Sequence, residues 1–552
     1  MTYTRRRFLA LGGLSAVGLL SACAPAATPA APTAAPKPAE PPKPAATQPP
    51  AQPQPAPTAA PTAAPAAKAP AAGASSKDTL TFAQTQDATS LDPPMHTLIQ
   101  NNSVLVHMFD SLVYLDAQGK LQPQLATSWE ATNPTTWTFK LRQGVKFHNG
   151  EPLDAGAVKF SLDRTLNPDQ KSPTRPKIAA ITKVDAPDPA TLVITTKDPF
   201  ALLPYTLVGF GAMPVPPKYV QEKGDKEVAT KPVGTGPYKF VEWVKDQHII
   251  MEANPDYWGD KAKVKRITIR PIPENATRVA ELRTGGVDLI INPPPQEMKG
   301  LESGDTKTIV QPSLWAINCG IDTLRDGPLT NPKVRQALNY AVDKEAIIKN
   351  VMGGLGKPIN SLAVPEVFGY DASTQPYPYD PNKAKALLAE AGFAGGFPLT
   401  LTTRQGNTLN DKDASEAIVG YLKAVGIQAQ LKVVENGVWA QWSANKGRDG
   451  IWYGGWRGDY PEVDGYSFSN LATDQFNSYV KNLDIDKTIF EARKSIDPKA
   501  RAEQYAALAK LQFEQATHIF LYQLPDTYAA RKNLEWTAKP DSIVELWGAR
   551  FS

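Results

Sequence analysis

The chain has 552 residues, 52 of them proline, with 59 Lys and Arg against 55 Asp and Glu and a formal net charge of +4. Three of those positive charges sit together at Arg5, Arg6 and Arg7, so the rest is nearly neutral and offers no basic face for nucleic acid. The two cysteines, Cys23 and Cys319, are too few for a disulfide framework. The N-terminus reads Thr4-Arg5-Arg6-Arg7-Phe8-Leu9 and continues without charge to Leu20. A basic start followed by a short apolar run is the layout of an export signal, and the Arg pair before Phe8-Leu9 suits its twin-arginine variant. The run falls short of the roughly 20 apolar residues of a spanning helix. The alternative, an uncleaved N-terminal anchor, fits less well because small residues follow where a peptidase would cut.

Those small residues carry a second signal. Leu20-Ser21-Ala22-Cys23 resembles the bacterial lipobox, which makes 1–22 a signal peptide and Cys23 the expected lipid attachment point. A diacylglyceryl thioether with an added N-acyl chain would bury more than one chain, enough for stable anchoring. Residues 24–76 are almost wholly Ala, Pro, Thr and Gln, with charges only at Lys37, Glu40, Lys43 and Lys68 and no aromatic residue. Such a stretch cannot bury enough apolar surface to offset its ordering entropy. Residues 23–76 therefore read as a lipidated tether, able to hold the folded part up to ~150 Å from the lipid in extended form.

From Lys77 onward strand and helix patterns interleave. Alternating residues predict strands at Leu80–Phe82, Trp137–Leu141, Thr191–Ile194, Ile249–Met251, Ile267–Ile269, Leu399–Leu401 and Ala429–Val433. Val334, Ala337, Leu338 and Ala341 share one helical face, with Pro332 in the first turn and Asn331 as the cap. A second helix is expected from Asp343, with Ile347, Ile348 and Val351 inward, and further helices at 382–391 and 414–425. No repeat of solenoid period occurs. The class is mixed α/β.

Catalytic signatures are missing from the pattern. The five histidines, His96, His107, His148, His248 and His518, form no HxxxH pair and flank no CxxC, so neither a metal site nor a cofactor is expected. No GxSxG, Walker A or GxGxxG motif occurs. Gly234-Thr235-Gly236-Pro237-Tyr238 lacks the Lys and Thr of a phosphate loop and reads as a structural turn. The distinctive feature is an aromatic run: Trp439, Trp442, Trp452, Tyr453, Trp456 and Tyr460, with Arg457 and Asp459 among them. Grouped Trp with interleaved charge suits a cavity wall with polar handles. Packing around a sheet is the alternative for any single Trp. The breaks at Gly454-Gly455 and Gly458 place part of the run in a loop at a strand end, which favours the cavity.

Several blocks in order extend this reading. Leu125-Ala126-Thr127-Ser128-Trp129-Glu130, Trp137–Arg142, Gly144–Phe147 and Asn149-Gly150 are followed by Gly234–Tyr238, Asn254–Trp258 and Val334–Lys344. In these blocks the chain resembles family 5 of the extracellular solute-binding proteins, the dipeptide, oligopeptide and nickel-complex receptors of ABC importers, over nearly all of 77–552. The resemblance implies a two-lobed periplasmic-binding-protein type II fold with an extra subdomain. Lobe I would comprise 77–109, 221–315 and 516–552, the inserted subdomain 110–220, and lobe II 316–515. It further implies a non-enzymatic, monomeric receptor outside the cytoplasm. A peptide-like ligand would be enclosed between the lobes, with permease subunits as partners and the membrane reached through the lipid. An oligosaccharide is the alternative ligand, since Trp faces suit sugar rings, and a tethered exported enzyme is a remote one. Asp459, Trp456, Arg457, Tyr460, Trp452 and Trp439 are the expected ligand-binding residues. In peptide-binding relatives the acid at the place of Asp459 pairs with the peptide's α-ammonium; capping of the turn before Pro461 is its other possible role. The family pattern often has Pro after the next acid, whereas this chain reads Glu462-Val463-Asp464.

Overall fold

The computed structural model describes residues 78–552, apart from 405–407, 436, 437, 440, 443, 444 and 459. Cys23 and the whole of 1–76, including the expected signal and tether, lie outside the described residues, as does Asp459. No described helix is long and apolar enough to cross a membrane.

The predicted strands form where the alternation placed them, and two longer ones join the halves of the molecule. Thr306–Ile321 and His518–Arg531 pair antiparallel along most of their length at the centre of an 11-stranded sheet. On one side, the end of the first strand pairs with Ile451–Trp456, followed by Pro398–Thr403 and Gln428–Val433 in parallel. On the other side, the end of the second pairs with Leu289–Ile291, which leads to Thr79–Gln84, Arg266–Pro271, His248–Ala253 and Tyr238–Val244. The ladder changes register between Pro312 and Trp315, where Pro312 faces Pro525. Neither proline can donate an N–H, so the joint between the halves is the weakest stretch of an otherwise long ladder.

Each half has its own core. One is built from the Leu314–Ile321 strand end, the helices Pro332–Ala341 and Asp411–Ala424, and Ile519–Leu524. The helix Pro332–Ala341 begins as the sequence predicts, with the Asn331 side chain accepting from the Lys333 N–H. The next helix, Lys344–Asn350, is capped by Asp343 and buries Ile347 and Ile348. The other half centres on Leu80, Phe82, Tyr238, Ile267 and Tyr528. A third core lies under a separate four-stranded sheet formed by Ala126–Asn133, Thr136–Leu141, Thr191–Thr196 and Ile181–Asp188. Gly234–Tyr238 is a packing turn: a Cβ on Gly236 would stand 2.5 Å from the Met108 carbonyl carbon, so only glycine lets the two backbones meet.

Candidate functional site

The strand Ile451–Trp456 ends where the two halves face each other, and the segment that follows it enters a cavity of about 300 Å³. Arg457, Gly458, Tyr460, Asp464 and Arg493 border it from one half. Asn102, Lys177, Phe200, Tyr205 and Asp541 border it from the opposite side. Gly458 has φ +72°, and a Cβ there would meet the Tyr466 ring at 2.7 Å, so the sharp exit from the strand requires glycine.

Contacts cross the cavity at several points. The Tyr205 and Tyr460 rings stack at 5.8 Å with 30° between their planes. Burial pushes the Tyr205 hydroxyl up to about 12, so its ring is neutral near pH 7. The Arg457 guanidinium donates to the backbone carbonyl of Asp541. The Ala201 N–H donates to the Arg493 carbonyl at 3.1 Å, and the Arg493 guanidinium lies 5.0 Å from the Phe200 ring and 3.7 Å from Phe468. On the Arg457 side, Asp464 is buried and accepts from Arg493 at 2.5 Å and from the Tyr460 hydroxyl. Its charge is thus committed within the wall. Glu462, beside the departure from the family pattern, is likewise internal: it is fully buried and bound by Arg501 and by Tyr505 at 2.8 Å.

The expected binding residues divide. Arg457 and Tyr460 line the cavity. Trp456, next to Arg457, is half-buried against the core of its own half and donates its indole N–H to Gly465 at 2.9 Å. Trp452 and Trp439 do not line the cavity; they pack with Tyr479 in a separate buried cluster. There the Trp452 and Tyr479 rings are 4.6 Å apart, and the Trp439 ring is flanked by Arg404 at 4.4 Å and Arg448 at 4.5 Å. Asp459 is outside the described residues, although its neighbours Gly458 and Tyr460 both border the cavity. Sequence reasoning missed Lys177, Tyr205, Asp541, Asp464 and Arg493. Asp464 alone had a local signal, in the Glu-Val-Asp departure.

Comparison with known proteins agrees with this architecture. Residues 120–478 match the model of the bacterial extracellular solute-binding proteins, family 5 Middle. The chain is 33% identical over 446 residues to the glutathione-binding protein GsiB of Pectobacterium atrosepticum, covering 78% of this chain and 86% of that protein. Among solved structures it is similar to the ABC transporter-associated periplasmic binding protein DppA from Helicobacter pylori in complex with the peptide STSA. That likeness has a TM-score of 0.74 and 26% identity, over 86% of this chain and 98% of that one. It is also similar to the periplasmic binding protein AgaA of A. tumefaciens R10 in complex with agropinic acid, with a TM-score of 0.72 and 27% identity over 86% and 99% of the two chains. The fold is the mixed α/β, two-lobed type II fold of periplasmic binding proteins. The chain belongs to the bacterial extracellular solute-binding proteins, family 5.

Proposed function

We propose that this protein is an extracytoplasmic receptor of an ABC importer that encloses a peptide-like ligand between its lobes and releases it, chemically unchanged, to permease subunits. The observation that carries the reading is the cavity between the halves, with Arg457 and Tyr460 facing Tyr205 and Asp541. The glutathione- and peptide-binding relatives support the ligand class. The proposed lobes are 77–109, 221–315 and 516–552 for the first, with 110–220 inserted, and 316–515 for the second. Asp459 is the proposed acceptor of the ligand's α-ammonium group, because an amine stripped of water needs an anionic partner at fixed distance. Such a bond contributes ~1.5–3 kcal/mol net. Leaving the amine unpaired costs ~3–5 kcal/mol, a hundredfold or more in affinity. Calorimetry with free and N-acetylated peptides tests this: wild type prefers the free amine and Asp459→Asn loses the preference. Equal binding of both forms by wild type removes the ammonium role, and binding of oligosaccharides alone removes the peptide reading.

The lipobox supports anchoring through Cys23. Cys23→Ser moves the protein from the membrane to the soluble fraction with ligand binding intact; retention of the Ser variant on membranes overturns the anchor.

A further inference from the structure

We infer that the protein carries a second small-molecule site, formed near its C-terminus and apart from the cavity between the halves, that takes a neutral polyhydroxylated ring such as a pyranose sugar. The inference does not depend on the peptide reading above. A cavity of about 390 Å³ is lined by Trp536, Lys539, Glu545 and Trp547, with Glu535 and Arg550 at its exposed rim. None of these six residues borders the cavity between the halves, to which the same stretch of chain contributes Asp541 and Ile543 instead. The walls are held in place. Glu535 and Arg550 face each other across a short antiparallel pair of strands, Leu534–Glu535 and Arg550–Phe551. The connecting loop is pinned to the body where the Val544 N–H donates to Ser103 Oγ at 3.1 Å and the Leu546 N–H donates to His107 Nε2 at 2.9 Å.

The chemistry of the lining selects the ligand class. Both tryptophans are half-buried against the core of their half, so each keeps part of its ring in the cavity. The Trp536 indole N–H donates to the Glu545 carbonyl at 2.7 Å, which leaves its carbon surface as what it can offer. Between the rings, Lys539 Nζ donates to the Glu545 carboxylate at 2.7 Å, with side chains only 11% and 17% exposed. At the rim Arg550 pairs with Glu535 at 2.5 Å. These four charges sum to zero and are matched in pairs. A ligand with its own ammonium or carboxylate must part a pair or face a like charge. A purely apolar ligand covers the Lys539–Glu545 pair and gives nothing back for the water it displaces. A sugar ring meets both demands. Its C–H faces lie on indole carbon, and each hydroxyl at its edge can accept from Lys539 and donate to Glu545 without separating them.

Fluorine NMR of the full chain labelled with fluorotryptophan tests the site, because each of the 11 tryptophans gives its own resonance. Single Trp→Phe variants at 536, 547 and 456 serve only to assign three of them. Cellobiose, maltose and N,N′-diacetylchitobiose are titrated over the millimolar range into the unsubstituted protein, so the result needs no variant to fold. At least one of the three is expected to shift the Trp536 and Trp547 resonances saturably while Trp456, beside the cavity between the halves, stays in place. Glucosamine and glucuronate, which add a positive and a negative charge to the same ring, are expected to bind about tenfold more weakly than neutral glucose, the penalty for disturbing a formed ion pair. Absence of any saturable shift at Trp536 and Trp547 overturns the site. A shift confined to Trp456 also overturns it and puts the sugar between the halves. Charged rings that bind as well as glucose overturn the neutral-ligand assignment.

Discussion

Asp110 is 1% exposed, yet it accepts hydrogen bonds from the side chains of Gln124, Thr235, Tyr257 and Trp258 at 2.8–3.0 Å. Burial pushes its carboxyl up while those four donors pull it down. Two sequence blocks that carried the family resemblance, Gly234–Tyr238 and Asn254–Trp258, therefore meet at one carboxylate and serve the scaffold. Asp526 is different. It lies where the long strand His518–Arg531 crosses between the halves, with its Oδ2 buried. Burial pushes its carboxyl up to about 7, against the pull of Ser542 and Arg457. A raised carboxylate holds its proton more tightly in the folded state, so its contribution is most favourable below the unfolded value near 4 and is lost as pH rises through about 7. Asp526→Asn has no such group. Its melting temperature relative to wild type is expected to climb by several degrees from pH 4 to pH 8, read by thermal denaturation at matched ionic strength. The buried His107 and His518, pushed down by burial to about 4 and about 3, act with the opposite sign below pH 6.5. They are common to both proteins and cancel in the difference, so a difference that stays flat with pH contradicts the assignment.

The strand Ile451–Trp456 places Trp452 and Trp456 on the same side by the two-residue period of a strand, but their surroundings differ. Trp452 is 7% exposed and packed on Tyr479, whereas Trp456 is half-buried beside the segment that enters the cavity. Ligand-induced change in Trp fluorescence is accordingly expected to fall by half or more in Trp456→Phe and to persist in Trp452→Phe; the reverse order would place the ligand against the Trp452–Tyr479 cluster. The same strand marks how far the sequence could be read. Trp456-Arg457 and the glycine break at Gly458 were legible because the chemistry lies within a few residues. The alternating strands and the Asn331-Pro332 helix start were legible because period and cap are local. The facing wall was not, since Lys177, Tyr205 and Asp541 come from three segments with no shared pattern and meet only when the chain folds. Nor did any period mark the strands Thr306–Ile321 and His518–Arg531 as continuous elements: each has a proline near its middle, Pro312 and Pro525, where a sequence reading stops a strand.

At the scale of the molecule, the two halves are joined through those strands, and the Pro312–Pro525 step interrupts their ladder. On the proposed receptor reading, such a joint is where the halves would rotate as bodies, and contacts made across the cavity would then hold them closed. Arg457 makes one of them, to the Asp541 carbonyl. A hydrogen bond from a charged donor contributes ~1.5–3 kcal/mol net, less where water reaches it. Arg457 is only half-buried, so about 1 kcal/mol is the reasonable scale, roughly a fivefold change in the open–closed ratio. Arg457→Ala is therefore expected to weaken ligand binding about fivefold, mainly through faster dissociation, and to enlarge the ligand-free radius of gyration seen by X-ray scattering. Asp541→Asn is the control: the acceptor is the backbone carbonyl and Asn keeps an oxygen for the Ile543 N–H, so removing the carboxylate's charge should leave the ligand-free radius nearly unchanged. If Arg457→Ala weakens binding while the ligand-free radius stays as in wild type, Arg457 acts on the ligand directly. If Asp541→Asn enlarges the ligand-free radius as Arg457→Ala does, the attraction runs through the carboxylate and the backbone bond is incidental.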